Sequence, residues 1–457
     1  MKKIFLFGAS KLGELAVDKL LSHYDIKGFI DNDPNKQGTL LLDKKVYGIE
    51  ILENFQDWEV IISSVYDIEI AKQLIDHGIN KFVVFELIED DYCLNFYDYS
   101  QVDNFNINHK KVCLLVENNS GSNTFALSKN IEESNMEQVD IITIDKSKKN
   151  NNYYYDILTS FVIITTHDYR CNDKQINIQL WHGVPLKGLS YMSKYENQNV
   201  EANHFAWSKF DHIISYSQTY STLLNACYGV EGKKYEVLGM PRNDLLFDFF
   251  ESRRNLEGIL DQSLEGKKVI FFLPTFRKTI YGEKNGRIDR DQDFFDIENL
   301  HEINSFLRIN NIILVAKPHP QERKNLSELS NIYILNEETL NNRNIDLYEI
   351  LGAADTLITD YSSVFFDYLL LDKPIIFYTP DYEEYISDRG LLLEPFDFWS
   401  PGKKCNNIKE LKEAILQTSE NDLFSKERRQ VLNILHRYKD PYSSRRLWDF
   451  IKKLITN

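Results

Sequence analysis

The sequence predicts an α/β protein built on parallel sheets and divided into two or three domains. Three observations carry this. Short β-branched, apolar runs recur along the chain and alternate with helix-patterned segments, the arrangement that buries strands on both faces of a parallel sheet. At 457 residues the chain is too long for one ordinary core. Unusual polar clusters (W-H-G, P-R-N-D, P-T-F-R, K-P-H-P and D-Y-S-S) follow directly on such runs, where parallel sheets place their ligands.

Lys3 to Phe7 reads as a strand, followed by Gly8-Ala9-Ser10-Lys11-Leu12-Gly13, a helix through Leu21, and a second strand, Ile26 to Ile30, ending in Asp31. This is the layout of a dinucleotide fingerprint, with Ser10 in place of the middle glycine where backbone must approach a pyrophosphate. Val60 to Ser63, the helix Ile68 to His77 and Phe82 to Phe85 complete this first part. It resembles the small Rossmann-like domain at the N-terminus of sugar-nucleotide acyltransferases. Two readings stand side by side, a degenerate scaffold that binds nothing or docks a partner enzyme and a nucleotide-sugar site, and Ser10 favours the first.

Glu86 to His109 is acidic, aromatic and without clear periodicity, and reads as a linker. A second α/β domain opens with the strand Val112 to Val116, the polar turn Asn118 to Asn123 and the helix Thr124 to Glu133; Ile141 to Ile144, Phe161 to Thr165, Ile176 to Leu180, His212 to Ser215 and Glu236 to Leu238 are its further strands. A third domain begins at Lys267, with strands Val269 to Leu273, Ile312 to Ala316, Ile332 to Leu335, Thr356 to Thr359 and Ile375 to Tyr378. Asp360-Tyr361-Ser362-Ser363 caps a helix expected over Val364 to Leu371, and Ser443 to Ile455 reads as a terminal amphipathic helix. The expected domains are 1–101, 110–265 and 266–457, the terminal helix crossing back.

Composition limits the partners. The hydrophobic share is 43% and the charged share 27%, those of a globular protein. The net charge of −16 repels nucleic acid and anionic lipid, so a phosphorylated substrate would need a locally basic pocket. The five cysteines (Cys93, Cys113, Cys171, Cys227, Cys405) are scattered and form no C-x-x-C pair, which fits a reducing compartment without structural zinc or disulfides. Gly8, Lys11 and Glu14 interrupt the apolar start, and no run is long enough to span a membrane.

The clusters offer specific chemistry. His182 follows a buried strand and precedes Gly183, which admits a close ligand; an imidazole there suits a general base for a hydroxyl, against the plainer alternative of a histidine bonded to backbone. Lys317 and His319, fixed by flanking prolines, would form a cationic hook for phosphate, or merely a rigid turn beside a solvated lysine. Arg277 can meet two phosphate oxygens with its fork. Arg242 can do the same or pair structurally with Asp244. Ser362 and Ser363 stand at a helix start, where N–H groups and the helix dipole attract phosphate. Asp360 reads first as the cap of that helix. There is no G-x-S-x-G elbow, H-E-x-x-H or Walker loop, and no metal-ligand spacing.

Taken together these clusters resemble the CDP-glycerol:poly(glycerophosphate) glycerophosphotransferases of teichoic acid and capsule synthesis. QLWHGVPLKGL (Gln179 to Leu189) is similar to their W-H-G-T-P-L-K motif, with Val184 in place of Thr. GMPRND, LPTFR and LITDYSSVFFDYLLLDKPIIFY, then Tyr385, Arg389-Gly390 and Pro401-Gly402, follow in family order. Lys317-Pro318 replaces a more common hydrophobic pair. The resemblance covers about three quarters of the chain, from Val112 onward. It implies a GT-B-type pair of Rossmann-like domains, preceded here by the small Rossmann-like one. It implies transfer of glycerol phosphate, or ribitol phosphate as the alternative, from a CDP-polyol to a hydroxyl of a growing, lipid-linked polymer, with CMP leaving; a nucleotide-sugar glycosyltransferase is the rival from another class. His182 and His319 would be catalytic. Gly183, Lys187, Arg242, Arg277, Lys317, Asp360, Ser362 and Ser363 would bind substrate. No tightly held cofactor or metal is implied, Mg2+ on the substrate diphosphate being left open, and the site of action would be the inner face of the cell membrane.

Overall fold

A computed structural model describes residues 1–55, 58–88, 91–131, 138–146, 148–167, 174–193, 200–275, 297–317 and 329–456. The expected site residues His319 and Arg277 lie outside these, as does Cys171. The four described cysteines form no disulfide with one another. Two compact units form: one takes Met1–Cys113, Lys148–Val162 and Tyr169–Gln175, the other Leu114–Ser147, Ile163–Asp168 and Ile176–Asn457.

In the first unit, Lys2–Phe7 runs parallel to both Tyr24–Ile30 and Glu59–Ile62. Lys44–Tyr47 and Lys81–Ile88 extend this parallel set on either side. Counted along the chain, the parallel strands stand in the order 3-2-1-4-5, a doubly wound arrangement. Ile4, Leu6, Ala16, Leu20, Phe29 and Ile61 make its core. The expected linker over Glu86 to His109 is corrected: Asp91–Asp98 is an edge strand, antiparallel to Lys81–Ile88 from Lys81 opposite Asp98 to Ile88 opposite Asp91. It is only half-buried, so its acidic and aromatic residues alternate between solvent and sheet. Phe82 stacks on Tyr97 at 5.7 Å between ring centroids and Phe85 on Tyr92 at 5.5 Å, pairings that stabilise such a ladder. The helix Tyr153–Thr159 belongs to the same unit, its Tyr154 hydroxyl donating to Asp67 at 2.7 Å.

The second unit holds two six-stranded sheets. The first runs Tyr235–Val237, His212–Ser215, Ile176–Gln179, Ser160–Thr165, Asn108–Val116, Asp140–Asp145, so the winding reverses between Asn108–Val116 and Ser160–Thr165. The other runs Ile332–Ile334, Ile312–Ala316, Lys268–Leu273, Thr356–Thr359, Ile375–Tyr378, Lys403–Cys405, every neighbouring pair parallel. Its winding reverses between Lys268–Leu273 and Thr356–Thr359. Ligands of doubly wound sheets bind beyond such reversal points. Continuous apolar runs place Ile270, Phe272, Leu314, Ile358 and Ile376 in one core.

One helix differs in detail from its sequence pattern. After Thr356–Thr359, the α-helix covers only Val364–Tyr368, and Leu369–Leu371 tightens into a 3₁₀ turn ended by Asp372 at φ +48°. So short a helix sums few peptide dipoles, and its start attracts anions less than a long helix would. The C-terminal helix Ser443–Thr456 does cross back to the first sheet of this unit. The Asp244 carboxylate accepts from the backbone N–H groups of Ser443 and Ser444 at 2.9 and 2.6 Å, and Arg446 Nε donates to Leu238 O at 2.8 Å.

Candidate active site

The site is built where two winding reversals come together. At the Lys268–Leu273/Thr356–Thr359 reversal, the buried Asp360 carboxylate gathers its surroundings through one oxygen: Oδ1 accepts from Thr275 N (2.7 Å), Thr275 Oγ1 (2.6 Å), Tyr361 N (2.6 Å) and Ser362 N (3.2 Å). Asp360 therefore shapes the loop ahead of the helix, and the expected cap is corrected: the helix starts at Val364 with Ser363 as its N-cap. Tyr361 stacks on Tyr385 at 3.7 Å with planes 10° apart, and its hydroxyl donates to Asp381 at 3.1 Å. This braces the turn that carries the half-buried Ser362 and Ser363. Ser363 opens the helix without a side-chain capping bond.

On the facing sheet, Ile176–Gln179 feeds a turn in which Trp181 adopts φ +53°. Trp181 N donates to Gln179 Oε1, and Trp181 O accepts from Asn123 Nδ2, each at 2.8 Å. The turn presents His182 against two rings: Trp181 at 3.9 Å and His167 at 4.8 Å, the latter with planes only 16° apart. His182 Nδ1 lies 3.3 Å from Thr166 O. A carbonyl only accepts, so Nδ1 carries the hydrogen and Nε2 keeps its lone pair. Desolvation and then the charge of His167 hold the imidazole below its ordinary pKa, with lesser lowering by Arg242 and Lys187, against an upward push from the Thr166 carbonyl. His182 keeps part of its surface in water, which moderates the desolvation. The result is a neutral imidazole with an available lone pair, the state a general base requires.

Gly183 joins the two halves. At φ +147° it lies where side chains are strained, and a Cβ there would stand 2.6 Å from Ser363 Oγ and 3.3 Å from Arg242 Nη2. The W-H-G turn thus sits directly against the D-Y-S-S helix start. Farther along, Leu186 O accepts from Leu392 N at 2.8 Å.

Arg242 is used inside the protein. Its Nη1 donates to Gly121 O and His182 O, both at 2.9 Å, and its Nη2 to Tyr216 Oη at 3.2 Å and Asp367 Oδ2 at 2.5 Å. Tyr348 lies under the guanidinium at 4.9 Å and donates its own hydroxyl to Asp367 at 2.6 Å. With 4% of Arg242 exposed, the expected phosphate contact is corrected: this arginine positions the His182 backbone. Nor does it pair with Asp244, which caps the terminal helix instead. Lys187 lies within electrostatic reach of His182. Lys317 pairs with Glu337 at 3.4 Å. The geometry therefore brings together His182, Gly183, Ser363 and Arg242.

Sequence reasoning missed Asn123, His167, Tyr216, Tyr348 and Asp367. Asp367 stands within the quoted D-Y-S-S stretch, on a helix whose apolar neighbours mark its face as buried; a buried carboxylate needs a cation, which is the signal that pointed to an arginine partner. The others act from separate elements and leave no local pattern. Among the described residues, no group of three or more His, Cys, Asp or Glu could hold a metal ion.

A family model described as CDP-Glycerol:Poly(glycerophosphate) glycerophosphotransferase matches residues 95–453. The chain belongs to this family. A separate model, C2185-like, N-terminal, matches residues 1–85 of this glycerophosphotransferase-family protein. Its relatives include the teichoic acid ribitol-phosphate polymerase TarL of Staphylococcus aureus, 30% identical over 59% of this chain and 46% of TarL. They also include the teichoic acid glycerol-phosphate primase of Bacillus subtilis, 29% identical over 61% of this chain and 68% of the primase. The chain spans about half the length of the first two curated relatives it matches, 46% and 52%. Among solved structures, the wall teichoic acid polymerase TagF superposes with a TM-score of 0.63 at 20% identity, over 78% of this chain and 92% of TagF. The likeness shows that the second unit has the GT-B-type architecture expected from the family resemblance.

Proposed function

We propose that this protein transfers a polyol phosphate from a CDP-polyol to a hydroxyl of a growing teichoic-acid-type polymer and releases CMP. The observation that carries the reading is the abutment of Gly183 on Ser363, which sets a neutral, partly exposed imidazole beside a serine-lined helix start. His182 Nε2 takes the proton of the acceptor hydroxyl as that oxygen attacks the phosphorus bearing the polyol. The new P–O bond forms, the bond to the CMP oxygen breaks, and CMP leaves with the electron pair. Ser362, Ser363 and Lys187 hold the diphosphate, a task the family resemblance also gives to His319, Arg277 and Lys317. General-base assistance contributes ~10²–10⁴-fold, and positioning and charge stabilisation supply the rest. Any Mg2+ would arrive on the donor diphosphate. A lipid-linked acceptor would bring the enzyme to the membrane surface; no helix among the described residues is long and apolar enough to cross it.

The test is a panel of CDP-polyols, glycerol and ribitol first, incubated with acceptor and scored for CMP. Release with at least one is expected, and His182→Ala should lower it by ~10²-fold or more with an unchanged thermal midpoint. A folded protein that releases no CMP from any of them, but joins a sugar through a glycosidic bond, would replace this reading with the glycosyltransferase one.

A further inference from the structure

We propose that His167 is a positioning residue of the transfer site: its imidazole packs face to face on His182 and sets both the plane and the protonation of that ring. This rests on the reading of His182 as the base and extends it to a residue outside every sequence motif described above.

His167 follows Ser160–Thr165, one of the two strands at which the winding of its sheet reverses, so it stands where such sheets concentrate function. Its backbone is pinned. Thr165 Oγ1 and Gln179 Nε2 each donate to His167 O at 3.1 Å, and His167 N donates back to Thr165 Oγ1 at 3.3 Å. The ring is pinned too, with Nδ1 3.1 Å from Thr166 Oγ1. The same three residues therefore supply the carbonyl that fixes the His182 tautomer and the ring that stacks on it. Trp181 packs on the same ring at 3.9 Å between centroids. His182 cannot rotate about its own axis without losing the Thr166 bond and one of two aromatic neighbours.

A phenylalanine would stack as well. What a histidine adds is a second group that takes a proton. When His182 Nε2 receives the acceptor's proton, its cation lies flat against a second imidazole. If His167 is neutral the pair is favourable; if His167 is charged the two repel, so the rings titrate as a coupled pair. The other charges facing His182 are Arg242, from the Pro241–Asp244 helix and already paired with Asp367, and Lys187, from its own loop. Both are permanent cations at neutral pH, which leaves His167 as the neighbour whose charge can change in the working range.

The experiment uses the full chain labelled at histidine Cε1. The His182 resonance is identified by its loss in His182→Gln and is followed through pH in wild type, His167→Phe and His167→Gln. In wild type we expect a titration that departs from a single-site curve. In both variants the curve should become single-site and move upward by ~0.5 pH unit or more. CMP release should move with it: the acid limb of kcat/KM rises by the same amount, and at high pH His167→Phe keeps kcat within about threefold while His167→Gln, without the stack, loses about tenfold. Superimposable His182 titrations in wild type and His167→Phe would overturn the proposal. So would equal loss of kcat at every pH in both variants, the mark of a merely structural residue. If no CDP-polyol yields CMP yet the two rings still titrate together, the functional reading fails and the coupling stands.

Discussion

At the scale of single residues, Arg242 concentrates the order of the site. Its guanidinium links the backbone of His182, the loop at Gly121, Tyr216 and the carboxylate of Asp367, almost wholly out of water. Removing one member of a buried ion pair strands the other, so Arg242→Met should cost about 3–5 kcal/mol in urea unfolding. Arg242→Met with Asp367→Leu should recover most of that, because neither charge is then left alone. His182 makes a pH prediction of definite sign. Its pKa lies below the ordinary histidine value, so the neutral base survives as the solution is acidified, and the acid limb of kcat/KM should fall below about pH 6.5. Gly183→Ala combines backbone strain with a Cβ in the space of Ser363 Oγ. It should cost about 1–3 kcal/mol of stability and depress CMP release, and Ser363→Gly in the same chain should restore part of both.

At the scale of elements, the loop before the helix Asn123–Lys129 is held by Asp346. This carboxylate accepts from Gly121 N at 3.0 Å, Ser122 N at 3.3 Å and Tyr348 N at 2.8 Å. Burial pushes its pKa up to about 7, against the lowering effect of those N–H groups. The fold thus favours the protonated acid. That contribution is fully present below the ordinary carboxyl value near about 4 and is lost as pH rises through the folded-state value. Asp346→Asn keeps a neutral acceptor, so unfolding midpoints at pH 5 and pH 8, the two sides of that titration, should differ less in the variant than in wild type. An unchanged difference would mean that Asp346 is ionised at both pH values. The central strands of all three sheets are legible in the sequence because burial on both faces demands uninterrupted Val, Ile, Leu and Phe, as in Ile312–Ala316 and Thr356–Thr359. Lys44–Tyr47, Asp91–Asp98 and Lys403–Cys405 are not, because a strand at or near a sheet edge needs one apolar face or none.

At the scale of the whole molecule, the first unit is assembled from separate stretches of the chain. Tyr154 and Lys149 reach Asp67 from a segment far along the chain, Lys149 also pairs with Glu86, and the Tyr97 and Tyr154 rings meet at 4.8 Å. A protein truncated before Val102 should therefore lose several kcal/mol, at about 1.5–3 for each large side chain uncovered, and should bind a hydrophobic dye under native conditions. A truncated chain with the melting curve of the full protein would show that this packing contributes nothing. The site was legible where chemistry sits within one motif: His182 and Gly183 on one turn, Ser362 and Ser363 on another. The sequence could not reveal that the two turns meet, nor that Arg242 is consumed by a carboxylate 125 positions away, since both depend on how distant strands are ordered.

The terminal helix has a further mechanical meaning. The polypeptide passes from the sheet carrying His182 to the sheet carrying Ser363, and Ser443–Thr456 returns it to the first, where Asp244 fastens it. Bodies joined by one thread can swivel and slide freely; a second thread leaves bending about the line between them as the easy motion. The return of the chain therefore works with the contact of Gly183 on Ser363 and the Arg242–Asp367 pair to keep the two sheets in register.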